Sequence, residues 1–174
     1  MKTLILGGVR SGKSRLAEQL ASADGRPVTC IATATARDDP EMAARIAAHQ
    51  ARRPAGWVLV EEPLGLAAAL AEHARAGTCV LVDCLTLWLT NLLLANDAAL
   101  LEREQAALLE TLETAPGELI LVGNETGMGI VPLGELTRRY CDAAGRLHQD
   151  VAMRCERVLL TVAGLPLALK GELP

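Results

Sequence analysis

Gly7-Gly8-Val9-Arg10-Ser11-Gly12-Lys13-Ser14 follows the apolar run Leu4-Ile5-Leu6 close to the start of the chain. Gly7, four residues, then Gly12-Lys13-Ser14 is the spacing of a Walker A loop, and the apolar run supplies the strand that precedes one. Glycines let backbone N–H groups turn inward around phosphate oxygens. A helix over Arg15 to Leu20 would aim the positive end of its dipole at the same anion. Lys13 is expected to reach the β- and γ-phosphates, and the Ser14 hydroxyl to hold Mg²⁺. A strand that enters such a loop and leaves it as a helix implies an α/β fold, a mainly parallel sheet flanked by helices with nucleotide at the strand ends.

Outward from this loop, short apolar runs alternate with helical patterns, as a parallel sheet requires. Val28 to Ala32 reads as a strand and Glu41 to Arg52 as a helix, with Pro40 in its first turn and Arg53 before Pro54 as its stop. Trp57 to Val60 is a short strand, and Leu64 to Arg75 a helix closed by Gly77. Cys79 to Asp83 is a buried strand ending in a carboxylate. Leu100 to Leu112 reads as a long exposed helix, Glu118 to Val122 as a strand, and Gly134 to Arg157 as a helix interrupted at Gly145. Val158 to Val162 closes the pattern, with a turn at Gly164-Leu165-Pro166 folding the end back as a hairpin.

The 174 residues suit one domain spanning 1–174. The chain is 51% hydrophobic but 2% aromatic, with no Phe, so its core must be Leu, Val, Ile and Ala, and little is left to stack on single-stranded bases. A net charge of −4 argues against a general nucleic-acid or acidic-membrane binder. The apolar stretch from Cys79 to Leu94 is broken by Asp83, Thr86, Thr90 and Asn91, so neither a membrane span nor a signal peptide is expected, and the cytoplasm is the expected compartment. Cys30, Cys79, Cys84, Cys141 and Cys155 are odd in number and form no CxxC pair. They read as buried reduced thiols with no assigned chemistry.

Asp83 stands where a Walker B carboxylate would hold Mg²⁺; the alternative is an N-cap for a helix near Leu85. His49 lies on a helix among Arg45, Arg52 and Arg53. It reads either as a solvated surface residue or as a phosphorus-attacking nucleophile whose arginine neighbours offset developing charge. His73 and His148 fall on polar helix faces and read as surface residues. Gly123 to Pro132, GNETGMGIVP, is either a ligand-facing loop presenting Asn124 and Glu125 or a structural connection.

GGVRSGKSRLAE, IATATARDDPEMAARIAAHQARRPAGW, DCLTLWLTNLL, VGNETGMGIVP and YCDAAGRLHQDVA, in that order, closely resemble the bifunctional adenosylcobinamide kinase/adenosylcobinamide-phosphate guanylyltransferase family of cobalamin biosynthesis. The resemblance runs nearly end to end. It implies phosphorylation of the aminopropanol hydroxyl of adenosylcobinamide by ATP or GTP, then GMP transfer from GTP onto adenosylcobinamide phosphate through a guanylylated histidine that falls on His49. It implies nucleotide contacts at Leu6, Gly7, Gly8, Val9, Arg10, Ser11, Gly12, Lys13 and Ser14, at Ala32, Thr33 and Ala34, at Gln50, Ala51, Arg52 and Arg53, and at Glu61 and Asp83. It also implies a RecA-like P-loop fold and a small homo-oligomer. Ala48 stands where some members have a second histidine, and His148 where Asn is more usual, so His148 is given no catalytic role.

Two rival readings are a P-loop ATPase switch acting on a protein or DNA partner, and a small-molecule kinase without guanylyl transfer. The first has no use for His49 and lacks basic or aromatic surface for DNA. Retention of His49 with Arg53 and Pro54 argues against the second.

Overall fold

The computed structural model describes residues 1–35, 40–52 and 54–174; the side chains of Met42, Arg45, His49, Gln50 and Arg52 are outside the description. In chain order the elements are β1 (Lys2–Gly7), α1 (Lys13–Ser22), β2 (Val28–Ala32), α2 (Pro40–Arg52), β3 (Val58–Glu61), α3 (Leu66–His73), β4 (Cys79–Asp83), α4 (Leu85–Leu94), α5 (Ala98–Thr114), β5 (Glu118–Asn124), α6 (Glu135–Arg154), β6 (Arg157–Val162) and β7 (Leu165–Lys170). The strands form a seven-stranded sheet in the order β3-β2-β4-β5-β1-β6-β7. β1 to β6 are parallel and β7 returns antiparallel on β6.

The central strands read as unbroken apolar runs because both their faces are covered. Leu4, Leu6, Val80, Val82, Leu119 and Leu121 point to one face, against Leu70, Trp88, Leu92, Leu108, Leu112, Leu147 and Val151 of α3 to α6. Ile5, Cys30, Leu81, Ile120 and Val122 point to the other, against Ala17 and Ala21 of α1. Trp88 is fully buried and donates its indole N–H to the Leu64 carbonyl at 2.7 Å, which satisfies the one polar atom the ring brings inside.

Several expectations are corrected. α3 is shorter than Leu64 to Arg75: the Glu62 carboxylate accepts from the backbone N–H groups of Leu64 and Gly65 at 2.9 and 2.8 Å, holding them as a turn. At the other end Ala74 is extended. α5 is not an exposed helix throughout, since Leu108 and Leu112 are fully buried; Asp97 caps it by accepting from Leu100 N at 3.0 Å. α6 runs through Gly145 without interruption and stops at Arg154, where Cys155 turns extended and Glu156 N–H bonds to Lys2 O. The final turn is centred on Ala163 and Gly164, at φ of 52° and 81°, while Leu165 and Pro166 already belong to β7. Two successive positive φ values match the twist of a two-residue hairpin.

Candidate active site

The loop after β1 is held in shape by its own backbone. Ser11 N–H donates to Gly8 O at 3.2 Å, and Lys13 Nζ donates to the same carbonyl at 2.7 Å. Gly12 takes φ 103°, outside the range of ordinary L-residues, and a Cβ there would stand 3.0 Å from the Gly164 Cα. α1 begins at Lys13, so Ser14 sits in its first turn, where free N–H groups and the helix dipole favour an anion. Lys13 is 7% exposed. Burial lowers the pKa of its ammonium, while the neighbouring Cys84 and Asp83 oppose that shift.

Strand order brings the expected residues to one edge. Ala32 pairs with Glu61 on one side and with Asp83 on the other, and Asp83 pairs with Val122 of β5. Gly7 pairs with Asn124. Four strand steps separate β3 from β1, which at ~4.8 Å each places Glu61 about 19 Å along this edge from the loop. That is the span of an extended nucleoside triphosphate. Asp83 lies between them, two strand steps from each.

The end of β4 is clamped to the end of β2. The Thr33 hydroxyl donates to Cys84 O at 2.7 Å and accepts from Cys84 N–H at 3.0 Å. Thr33 N–H donates to Asp83 O, and Asn91 of α4 donates to both Thr33 O at 2.8 Å and Pro63 O at 3.1 Å. Thr33 is fully buried, its side chain holding Cys84 and its backbone N–H holding Asp83, while Ala32 and Ala34 remain partly open on either side. The N-cap position of α4 belongs to Cys84, which removes the capping alternative for Asp83. Asn91, a lone amide in the apolar helix LTLWLTNLLL, was the sequence signal for this clamp.

His49 lies in the last turn of α2, followed by Gln50, Ala51 and Arg52. The side chains of His49, Gln50 and Arg52 lie outside the described residues, and Arg53 lies outside them entirely. Ala51 and Glu61 are exposed, as are Gly8, Val9 and Arg10 of the loop. Three thiols are held protonated: burial pushes Cys79 and Cys155 up to about 12 and Cys84 up to about 11. The expectation that all five are buried is corrected, because Cys84 and Cys141 are only partly so.

His148 is not on a polar surface. It is 7% exposed and packs over Gly123, with Nδ1 3.9 Å from Oε2 of Glu125. Burial lowers its pKa, and the Glu125 charge raises it. Glu125 in turn is attached to the phosphate loop, its N–H donating to Gly7 O at 3.0 Å.

A loop of this form between the β1 strand and α1 of a mainly parallel sheet, with an acidic strand end two strands away, defines a P-loop nucleotide-binding protein of RecA-like fold. The RadB recombinase has this architecture at a TM-score of 0.52 and 17% identity, covering 91% of this chain and 73% of that one. The PH0250 protein of Pyrococcus horikoshii OT3 matches at a TM-score of 0.57 and 9% identity, covering 98% and 86%. Both likenesses speak of fold alone.

The chain belongs to the family described as cobinamide kinase / cobinamide phosphate guanyltransferase, which matches residues 3–169. It is 65% identical over 172 residues to the bifunctional adenosylcobalamin biosynthesis protein CobP of Pseudomonas aeruginosa, covering 99% of each chain. It is 39% identical over 183 residues to the bifunctional adenosylcobalamin biosynthesis protein CobU of Salmonella typhimurium, covering 98% of this chain and 100% of that one.

Proposed function

We propose that this protein carries out both reactions for which its family is named, phosphorylating the aminopropanol hydroxyl of adenosylcobinamide and then converting the phosphate to adenosylcobinamide-GDP with GTP. The observation that carries this reading is the single strip of strand ends running from the P-loop past Asp83 and Ala32 to Glu61. A triphosphate laid along it would have phosphates at Lys13 and Ser14 and its nucleoside toward Ala32, Ala34 and Glu61.

In the first reaction the cradle presents the γ-phosphorus of ATP or GTP to the hydroxyl, and Lys13 offsets charge on the phosphoryl oxygens. In the second, an imidazole nitrogen of His49 bonds to the α-phosphorus of GTP and pyrophosphate leaves with the electron pair of the broken bond. An oxygen of adenosylcobinamide phosphate then attacks the same phosphorus, and the P–N bond breaks to return His49. Gln50, Ala51, Arg52 and Arg53 follow the nucleophile along the chain and are proposed to hold the guanine nucleotide during this exchange. Ser14 and Asp83 offer a hydroxyl and a carboxylate, hard oxygen donors that suit Mg²⁺. When bound, Mg²⁺ would draw charge from the phosphoryl oxygens.

No helix among the described residues is long and apolar enough to cross a membrane, which agrees with a proposed cytoplasmic setting. A small homo-oligomer without nucleic-acid partners is part of the same proposal. Support comes from Ile130, Val131 and Leu133, exposed apolar side chains between β5 and α6 that a neighbouring chain would cover.

Incubation with α-labelled GTP tests the reading. The protein should acquire label that is lost in acid and kept in alkali, as a phosphoramidate is, and adenosylcobinamide phosphate should discharge it. His49→Ala should take up no label while still phosphorylating adenosylcobinamide. Label on another residue would remove His49 from the mechanism.

A further inference from the structure

The loop that follows β5 carries a carboxylate that none of the chemistry above uses. Glu125 is one residue past the register partner of Gly7, and its N–H bonds to Gly7 O at 3.0 Å, so its backbone is fastened to the phosphate loop. Oε1 accepts from Gly127 N–H at 2.6 Å, which fixes the carboxylate's orientation. Oε2 faces His148 Nδ1 at 3.9 Å, beyond hydrogen-bond range. A cavity of about 400 Å³, lined by Leu6, Glu125, Gly145, His148, Val158 and Leu169 among others, opens beside it between α6 and the β6–β7 hairpin.

We propose that Glu125 is the proton acceptor of the kinase step, an assignment that rests on the kinase reading above. The acceptor hydroxyl oxygen bonds to the γ-phosphorus, and its proton passes to Oε2 of Glu125. The bond from phosphorus to the β,γ-bridging oxygen breaks, and its electron pair leaves with the nucleoside diphosphate. The neighbouring cavity, apolar over most of its wall, suits the alkyl arm that bears the hydroxyl.

Other carboxylates on the edge are placed for different work. Asp83 acts electrostatically on Lys13, and Glu61 lies about 19 Å from the phosphate loop by strand spacing. His148 supports the assignment from behind: burial favours its neutral form, so no imidazolium competes for the carboxylate at neutral pH.

Glu125→Gln separates basicity from structure, because the amide oxygen can still accept the Gly127 N–H. In the folded full-length variant, kcat for phosphorylating adenosylcobinamide should fall about 100-fold or more, the range that general bases supply. The KM for nucleotide should stay within about threefold, as for a group used in the chemical step and not in nucleotide binding. The ratio of phosphorylation to labelling by α-labelled GTP should fall with kcat. Glu125→Ala supplies a second readout: added formate should restore phosphorylation in proportion to its concentration. If the amide variant does not fold, the formate response decides alone. Phosphorylation by Glu125→Gln within tenfold of wild type, an equal loss of phosphorylation and labelling in the folded variant, or no response to formate overturns the assignment. A wild-type protein that phosphorylates no adenosylcobinamide overturns the kinase reading and the assignment together, whereas an active wild type with an equally active Gln variant overturns the assignment only.

Discussion

Gly164 N–H donates to the Ser11 carbonyl at 2.8 Å, so the turn of the C-terminal hairpin braces the phosphate loop from outside. The contact is close on both sides, with Gly12 backed against the Gly164 Cα and Gly164 itself at φ 81° beside the Arg15 guanidinium. Gly164→Ala should cost about 1–2 kcal/mol for the left-handed conformation. It should also weaken nucleotide binding, because the cradle loses its brace. Urea unfolding and calorimetric titration with GTP measure the two effects; a change in neither would leave the hairpin without a role at the site.

Lys13→Ala tests the cradle directly. The ammonium is held inward by Gly8 O and lies 3.5 Å from Ser11 Oγ, ready to exchange these partners for phosphate oxygens. A hydrogen bond to a charged group contributes about 1.5–3 kcal/mol, so nucleotide affinity should fall roughly 10- to 150-fold. Phosphorylation and guanylyl labelling should fall together, since both would use the one cradle. Titration of the variant with ATP and with GTP, followed by both assays, checks this.

The parts of this fold legible in the sequence are those where local rules and burial agree. The P-loop carries its glycines at fixed spacing, and β1, β2, β4 and β5 are apolar runs bounded by turns. α4 was harder to separate from β4. Cys79 to Leu94 is apolar almost throughout, and an element buried all round shows neither the helical nor the strand period. Gly145 reads as a break, yet one mid-helix glycine costs only about 1 kcal/mol, which the packing of a 20-residue helix absorbs. The polar neighbours Arg146, Gln149 and Asp150 make His148 read as a surface residue. It belongs to the buried stripe Ala144, Leu147, His148, Val151, whose three-four spacing is present in the sequence. Of the Thr33 clamp the sequence shows only Asn91, a lone amide in an apolar helix, because the clamp itself joins residues 51 positions apart through one hydroxyl.

Thr33→Val keeps the shape of that clamp and removes its hydrogen bonds. The Cys84 N–H and carbonyl would each lose a partner at a partly buried position, at up to about 1–3 kcal/mol per group. Stability to urea should drop by that order, and Thr33→Ser should retain most of it. Asp83 would keep its bond from Thr33 N–H but adjoin a Cys84 that is no longer held, so nucleotide-dependent stabilisation should shrink in Thr33→Val beyond the loss of fold stability. Thermal shifts with and without GTP separate the two contributions.

The burial of His148 makes stability depend on pH with a definite sign. Its folded pKa is lowered, first by desolvation and against the opposing charge of Glu125. The unfolded chain therefore takes up a proton near the ordinary imidazole value of about 6.5 while the folded chain still resists it. Where the unfolded state binds more protons, stability rises with pH. The contribution of His148 is thus fully present above about pH 6.5 and is lost as the pH falls toward the folded pKa, at no more than about 1.4 kcal/mol per pH unit for one proton. Urea unfolding at intervals from pH 8 down to pH 5 should show a downward slope for the wild type that His148→Gln lacks over the same interval. Glu125→Gln supplies the complementary case. Without the carboxylate, the one contribution raising the pKa of His148 is gone, so the folded imidazole resists protonation further and the loss continues to lower pH. Equal slopes in wild type and His148→Gln would mean that the ring reaches solvent when it takes up its proton, and its packing over Gly123 would then not govern its charge.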